Sequence, residues 1–454
     1  MATMHHNSDP ILKLDVIIVG GGIGGLATAY SLASAGHTVT VLEAVAVPGE
    51  IGAGVQVASN VTRILTRWGL GSKLKEIAGR DKVESILINR YVNGETILRM
   101  PGGDEAEKRY GAPTYHVHRA DLYNMLYELA KPYITFRAGS RVTSIDPSTP
   151  SVTLDSGEKV TADVIIGADG IRSVVRDIVV GHPQKVKYTG DSAYRFIIPA
   201  EDMLTDPDLG SLVDKLCVWA GPQKHIVSYG IRGQKCINVV ACVEDEDEAA
   251  GYSWSAQSDS DGMRAQFSGW ESRVIKLLAL VKSPHILKFK LMDCAPLETW
   301  VHAQGRVTLM GDACHPMLPY RAQGAAMAIE DAEVLGKLFS HVTHHKQIPS
   351  LLKAYESIRF ERATTTQRRS TESREFWHLS DGAQQEARDA RLRAGMEVQQ
   401  ALAKGQIVAS EKLSAVEHGR KTRQAEDDEQ YGYDVGQETD KWWEENGARI
   451  LSLI

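Results

Sequence analysis

The chain has 454 residues, 43% of them hydrophobic and 24% charged, enough apolar material for a large core shared by two or three packed units. Its 51 Lys and Arg against 58 Asp and Glu leave a net charge of −7, without the basic excess that nucleic-acid binding requires. The 5 cysteines (Cys217, Cys236, Cys242, Cys294, Cys314) are scattered and form no CxxC pair, which argues against a disulfide framework or a zinc site and fits a reducing cytoplasm.

In chain order, the polar leader MATMHHNSDP lacks a basic region followed by an apolar core, so no secretory signal is expected. Val16–Val19 is a β-branched apolar run, the mark of a buried parallel strand. Gly20 to Gly25 follows, then a helical pattern from Leu26 to Ala35 closed by Gly36, then a strand from Val39 to Leu42 ending at Glu43. A helix is expected around Asn60 to Trp68, and alternating segments up to Gly111. Val164–Ile166 is a further strand that runs into Gly167-Ala-Asp169-Gly170 and a helix. From Ser192 to Val243 the pattern becomes period two, predicting an antiparallel sheet with strands at Tyr194–Ile198, Leu216–Ala220, His225–Tyr229 and Cys236–Val243. The acidic runs Glu244 to Glu248 and Glu426 to Glu429 are read as solvated loops. Arg306–Met310 returns to a buried strand, followed by Gly311-Asp312 and a helix from about Gln323. From Leu351 the chain has helical periodicity, a helical cap with a looser tail. No stretch reaches the roughly 18 apolar residues of a membrane span. The tail, with Trp442-Trp443, is expected either to dock on the core or to mediate self-association as a homodimer.

Gly20-x-Gly22-x-x-Gly25 with Glu43 carries the first chemistry. Glycines let backbone approach a diphosphate at a helix N-terminus, and the acid ending the second strand accepts ribose hydroxyls. The motif does not by itself separate FAD from NAD. A second strand–GxGxxG–helix unit is absent from the sequence; two strand ends carry single acids instead, Asp169 and Asp312, each of which alone reads as a turn or cap. His225 and Tyr229, four apart on a strand, share a face and can look into one pocket. Arg195 suits either a substrate carboxylate or a salt bridge within the sheet. Cys314-His315 has no further ligand at suitable spacing, so no metal site is expected and His315 is read as a packed or capping residue.

Taken together, VIIVGGGIGGLATAYSLASAGHTVTVLE, HRADL (His118 to Leu122), IIGADGIRSVVR and VTLMGDACHPMLPYRAQGAAMAIEDA resemble the single-component flavin aromatic hydroxylases, over most of the chain from Asp15 to about Asp389. FWHLSDGAQQEARD, from Phe376 to Asp389, looks like their salicylate hydroxylase branch. The resemblance implies an α/β fold: an FAD-binding Rossmann-type domain (para-hydroxybenzoate hydroxylase-like), an antiparallel-sheet substrate domain and a helical C-terminal region. It divides the chain into 11–85, 111–185 and 296–345 for FAD, 86–110 and 186–295 for substrate, and 346–454 for the helical region. Arg119 is expected at the FAD diphosphate and ribityl chain, Asp169 near the diphosphate, and Asp312 at a ribityl hydroxyl. Gln323, Gly324 and Ala325 are expected at a helix N-terminus facing the flavin pyrimidine ring, and Pro319 beside its oxygen-reacting side. His225 and Tyr229 match the His-x-x-x-Tyr that handles the substrate phenol. The family's usual Gly-Gln-Gly is here Ala322-Gln323-Gly324, preceded by Arg321, a candidate for an anionic substrate.

The implied activity is hydroxylation of a phenolic aromatic acid by bound FAD, transient NADH or NADPH and O2, through a flavin hydroperoxide, with decarboxylation where the carboxylate is ortho. Two rivals share the motifs. One is a flavin monooxygenase of secondary metabolism acting on a larger phenol, indole or alkaloid; the other is a non-catalytic flavin-binding redox module.

Overall fold

The computed structural model describes residues 11–46, 53–79, 83–101, 104–245, 255–404, 421 and 423–453. Its nucleotide-binding sheet has five parallel strands in the order Val307–Leu309, Val164–Gly167, Asp15–Val19, Thr38–Leu42, Ile134–Arg137. Val16 through Val19 are all buried, because helices cover both faces of a parallel sheet and leave no side for polar residues. The helix Ile23–Ser34 connects the central strand to Thr38–Leu42 and packs on a second helix, Gly324–Phe339. That first helix starts three residues earlier than its apolar pattern, since Ile23, Gly24 and Gly25 already take helical geometry behind the glycine turn. Gly36 ends it with φ +97°, as the C-cap reading requires.

The second sheet has eight strands, ordered Ser255–Asp259, His285–Asp293, Lys187–Pro199, Cys236–Glu244, Lys224–Ile231, Lys215–Gly221, Ser85–Arg90, Thr96–Pro101. It is antiparallel except where Lys215–Gly221 runs parallel to Ser85–Arg90, a long-range pairing that no local pattern announces. Lys187–Pro199 is far longer than its period-two core, because flanking polar positions are recruited by neighbours on both sides.

Helices Ile348–Trp377, Ala383–Ala403 and Val435–Leu451 make up most of the C-terminal region. The tail docks on the core: Arg67 pairs with Asp434 at 2.9 Å, and His341 stacks on Trp443 with centroids 4.1 Å apart. The acidic runs are not both loops. Glu244 ends a strand, Asp245 pairs with Lys288 at 2.7 Å, and residues 246–248 lie outside the described ones. Glu426–Glu429 is helical, with Asp428 and Glu429 each 2.7 Å from an arginine (Arg109 and Arg369); both acids remain exposed, so this run is solvated as expected but is not a loop. Among the described residues no helix is long and apolar enough to cross a membrane.

Candidate active site

The glycine loop is shaped by contact, not by flexibility. A Cβ on Gly20 (φ +107°) would lie 2.3 Å from the Ala168 carbonyl oxygen, and one on Gly25 would lie 2.0 Å from that of Gly20. Gly22 has nothing within 4 Å of its Cβ position, so this corner of the turn faces open space. The helix behind it has neither a side-chain cap nor an acid in its first turn, leaving its N–H groups available to an anion. Glu43 accepts from the N–H of Gly21 (2.7 Å) and of Val45 (2.8 Å), which fixes its carboxylate at the strand end with lone pairs to spare for hydroxyls.

Asp169 and Asp312 are brought to the same edge. The Oδ2 of Asp169 caps a helix by accepting from Val174 (2.8 Å), while its buried Oδ1 has no partner, and burial raises its carboxyl pKa. Arg176 ties the two strand ends together, donating to the carbonyls of Ile171 (2.8 Å), Asp312 (2.7 Å) and Ala313 (2.6 Å). Asp312 is exposed to solvent, yet desolvation raises its pKa against the opposing fields of His315, Arg119 and Arg176. A side chain that is both accessible and surrounded by protein lines a cavity. Arg119, first residue of the helix Arg119–Ala130, feels both Asp312 and Arg195 across it.

The helix Gly324–Phe339 begins where expected, with Gln323 as N-cap and no side-chain cap. The Gln323 Oε1 accepts from Asn60, and its buried Nε2 has no partner. Just before it, Pro319–Arg321 forms a short 3-10 turn, and Leu318 packs with Ala193, Cys242 and Leu291 on the second sheet. Ala322 takes φ +53°, the left-handed conformation that glycine adopts freely. Arg321 does not join the sheet face: its Nη1 lies 3.8 Å from Glu426 in the tail.

Strand register defines that face. Ala193, Cys242, His225 and Ala220 form one row; Arg195, Val240, Val227 and Val218 the next; Ile197, Asn238 and Tyr229 the third. His225 and Tyr229 share the face but stand at opposite ends of it, roughly 13 Å apart along the strand. Tyr229 packs on His116 at 4.7 Å between centroids, beside Asn238, whose Oδ1 accepts from the Gly54 N–H at 2.6 Å. Burial pushes the Tyr229 hydroxyl up to about 12, so it stays protonated and can donate. Arg195 occupies the row between them, 5.8 Å from the Phe289 ring, with a buried Nε that has no partner. At the other end His225 is buried with its Nδ1 2.8 Å from the Nε2 of His378, and burial holds its pKa well below the usual histidine range.

His315, buried, bonds Asp331 at 2.7 Å, and Asp331 is itself bound by Arg359 at 2.8 Å. Cys314, His315 and Asp331 converge, but the carboxylate is already neutralised by the arginine, which supports the packing role. Sequence reading missed Arg176, Asp191, Tyr320, Arg374 and His378. Arg176, Tyr320 and His378 lie in quoted motifs and could have been found. The others meet over separations as long as the 183 residues between Asp191 and Arg374, and no local pattern joins them.

With one nucleotide loop facing a sheet rather than a second nucleotide domain, the resident cofactor must carry its own redox ring to that sheet. This defines a flavoprotein oxidoreductase. The residues fit FAD: open space at Gly22, an unpartnered Asp169 Oδ1, an unpartnered Gln323 Nε2 and uncapped helix N-termini at either end of the cavity.

Residues 13–370 match the FAD binding domain family, and the chain belongs to it. It is 37% identical over 386 residues to the FAD-dependent monooxygenase OpS4 of Beauveria bassiana (strain ARSEF 2860), covering 83% of this chain and 88% of that one. It is 36% identical to 3-amino-4-hydroxybenzoate 2-monooxygenase PtmB3 of Streptomyces platensis, over 82% of this chain and 91% of the other. A solved salicylate hydroxylase substrate complex superposes with a TM-score of 0.70 at 26% identity, covering 89% of this chain and 98% of that chain. The protein is an FAD-dependent monooxygenase, with NAD(P)H as transient reductant.

Proposed function

We propose that this monooxygenase hydroxylates a phenolic aromatic acid, a hydroxybenzoate of about the size of salicylate, with decarboxylation when the carboxylate is ortho to the hydroxyl. The observation that carries this is Arg195, a cation with an unpartnered buried Nε in the middle of the face that bears His225 and Tyr229. A buried Nε–H left without a partner is costly, and a planar carboxylate can accept from it and from a terminal N–H in two parallel hydrogen bonds. The substrate named for the Streptomyces relative is likewise a hydroxybenzoate.

Bound FAD, once reduced by NADH or NADPH, supplies the activation of dioxygen. The chain's own groups do the rest. Gly20, Gly22, Gly25 and Glu43 hold the adenosine diphosphate end, with Asp169 beside it. Arg119 and Asp312 hold the ribityl region. The N-terminus at Gln323, Gly324 and Ala325 places helix dipole and N–H groups where negative charge gathers on the ring. Pro319, with Leu318 seated on the sheet, keeps water from the reacting side. Arg195 orients the ring by its carboxylate. His225 Nε2, which has no partner among the described residues, takes the phenolic proton, and Tyr229 donates to the opposite end of the substrate.

The test is a screen of hydroxybenzoates for stimulated NADH and NADPH oxidation, with product analysis. A hydroxylated acid or a catechol is expected. Arg195→Met should raise KM for the acid about 10- to 100-fold, the value of a charge-assisted pair. Turnover confined to phenols without a carboxylate, with KM unmoved in that variant, overturns the reading.

A further inference from the structure

Beyond Arg195, the far end of the sheet face holds a second group of unpartnered polar atoms. Tyr229 and Asn238 are register partners on adjacent strands and share the face that bears Arg195 and His225. The Asn238 Oδ1 accepts from the Gly54 N–H at 2.6 Å, which fixes the amide and leaves its Nδ2 as the free donor. That Nδ2 is buried and has no partner. His116, on the strand Tyr115–His118, lays its ring 4.7 Å from that of Tyr229, and its buried Nε2 is likewise unpartnered. Gly54 makes the room: a Cβ there would lie 2.7 Å from both the Asn238 Cγ and the Tyr229 hydroxyl oxygen. Among the described residues this end is uncharged. Burial alone lowers His116, to about 4, and Arg195 in the middle row is the one charge that acts on Tyr229.

We propose that Asn238 and His116, together with Tyr229, form a specificity subsite for a second hydroxyl on the substrate ring, opposite the hydroxyl that His225 activates. The inference rests on the reading of the substrate as a hydroxybenzoate and names the member of that class. A hydroxyl offers one donor and two acceptor lone pairs. Its lone pairs accept from the Asn238 Nδ2–H and the Tyr229 O–H. Its own O–H donates to the His116 Nε2, the proton of that neutral ring sitting on Nδ1. All three groups are then satisfied at once. A carbonyl or ether oxygen takes the two donors and leaves the imidazole nitrogen bare. An ammonium meets two donors, and a second carboxylate finds no cation at this end. A ring hydrogen serves none of the three and leaves them buried and unpaired, the costlier state. The ring position follows from the rows: His225, Arg195 and Tyr229 stand in successive rows of one face. The carboxylate on Arg195 therefore lies between two hydroxyls that point opposite ways across the ring. That arrangement is a 2,5-dihydroxybenzoate.

The experiment measures dissociation constants on the oxidised, FAD-loaded enzyme from the change in flavin absorbance, without turnover. The probes are 2,5-dihydroxybenzoate, salicylate and 5-fluorosalicylate, whose fluorine is close to a hydroxyl in size but cannot donate. The dihydroxy acid should bind about 100-fold more tightly than either, since a site built around a hydroxyl rejects the analogue that lacks it. His116→Phe keeps an aromatic ring against Tyr229 and removes the acceptor. In that variant the dihydroxy acid should bind about tenfold more weakly while salicylate moves less than about threefold, a split that a general loosening of the fold would not produce. Wild-type enzyme that binds salicylate as tightly as the dihydroxy acid overturns the subsite alone, whether or not the variant folds. Enzyme that binds none of the three acids sinks the hydroxybenzoate reading and the subsite with it. Weaker FAD binding in His116→Phe with the substrate preference intact assigns these atoms to the flavin and likewise overturns the proposal.

Discussion

The chemistry of single residues here is set by burial more than by neighbouring charge. Desolvation lowers both His116 and His378 to about 4. A histidine whose folded pKa lies below its unfolded value of roughly 6.5 binds its proton more readily when the chain unfolds. Its contribution to stability is therefore complete above pH 6.5 and is lost as the pH falls towards 4. The loss comes to ~3 kcal/mol for each of the two at the acid end. Urea midpoints measured at intervals from pH 7 to 4 should fall across that window, and His116→Asn should flatten part of the decline. The same burial suits His225 to its task, since a neutral imidazole can accept a proton at neutral pH. Replacing it by Gln keeps hydrogen bonding but removes the base. Oxygen transfer should slow about 100-fold, in the range that general-base catalysis supplies. NADH would still be consumed, with hydrogen peroxide replacing product, so the ratio of product to peroxide measures the role. Full coupling in the variant would remove His225 from the chemistry.

At the scale of elements, what could be read from sequence follows from contact distance along the chain. The strand, glycine loop, helix and Glu43 lie within thirty residues, and each is tied to the next by backbone geometry, so pattern alone locates them. The start of the helix Gly324–Phe339 and the strands around His225 were legible for the same reason. The face opposite the flavin was not. Its rows arise from register between strands that are distant in sequence, including the parallel pairing of Lys215–Gly221 with Ser85–Arg90. Whether His225 and Tyr229 meet or stand apart depends on Val227 between them and on which loops cover each end. The loop at Ala322 falls between these cases. Its departure from glycine was visible, and the structure places it at φ +53°. A left-handed alanine costs roughly 1–2 kcal/mol, partly offset in the unfolded chain because glycine there is the more disordered residue. Ala322→Gly should accordingly raise stability by up to ~1 kcal/mol. Thermal unfolding of the FAD-loaded protein checks this; a loss of stability would mean that the alanine methyl packs usefully.

Across the whole molecule, the tail and the flavin edge belong to one polar network. Asn60 donates to Gln323 at 3.3 Å and to Glu330 at 2.8 Å. Glu330 is fully buried and bound by Arg359 at 2.6 Å and Arg362 at 2.7 Å. Arg362 reaches on to the tail, donating to the carbonyls of Glu429 (2.9 Å) and Gln430 (3.0 Å) and lying 3.9 Å from the Tyr433 ring centroid. The chain of contacts runs from Tyr433 to the N-cap of the helix that faces the flavin, and each link is either buried or charge-assisted. Removing Arg362 takes one of two cations from Glu330 and the anchor from the tail at once. Arg362→Met should thus do two things that a local defect would not do together. The tail after residue 420 should become open to limited proteolysis, and FAD should bind about tenfold more weakly, because Asn60 is drawn towards an under-neutralised Glu330 and away from Gln323. Tyr433→Leu, which removes only the ring, should reproduce the proteolysis. If the two sites are linked as the contacts indicate, the double variant will lose less than the sum of the single losses, with a coupling of about 0.5–3 kcal/mol. Strict additivity in FAD-dependent thermal shifts would instead make the tail a passive cover, independent of the cofactor it surrounds.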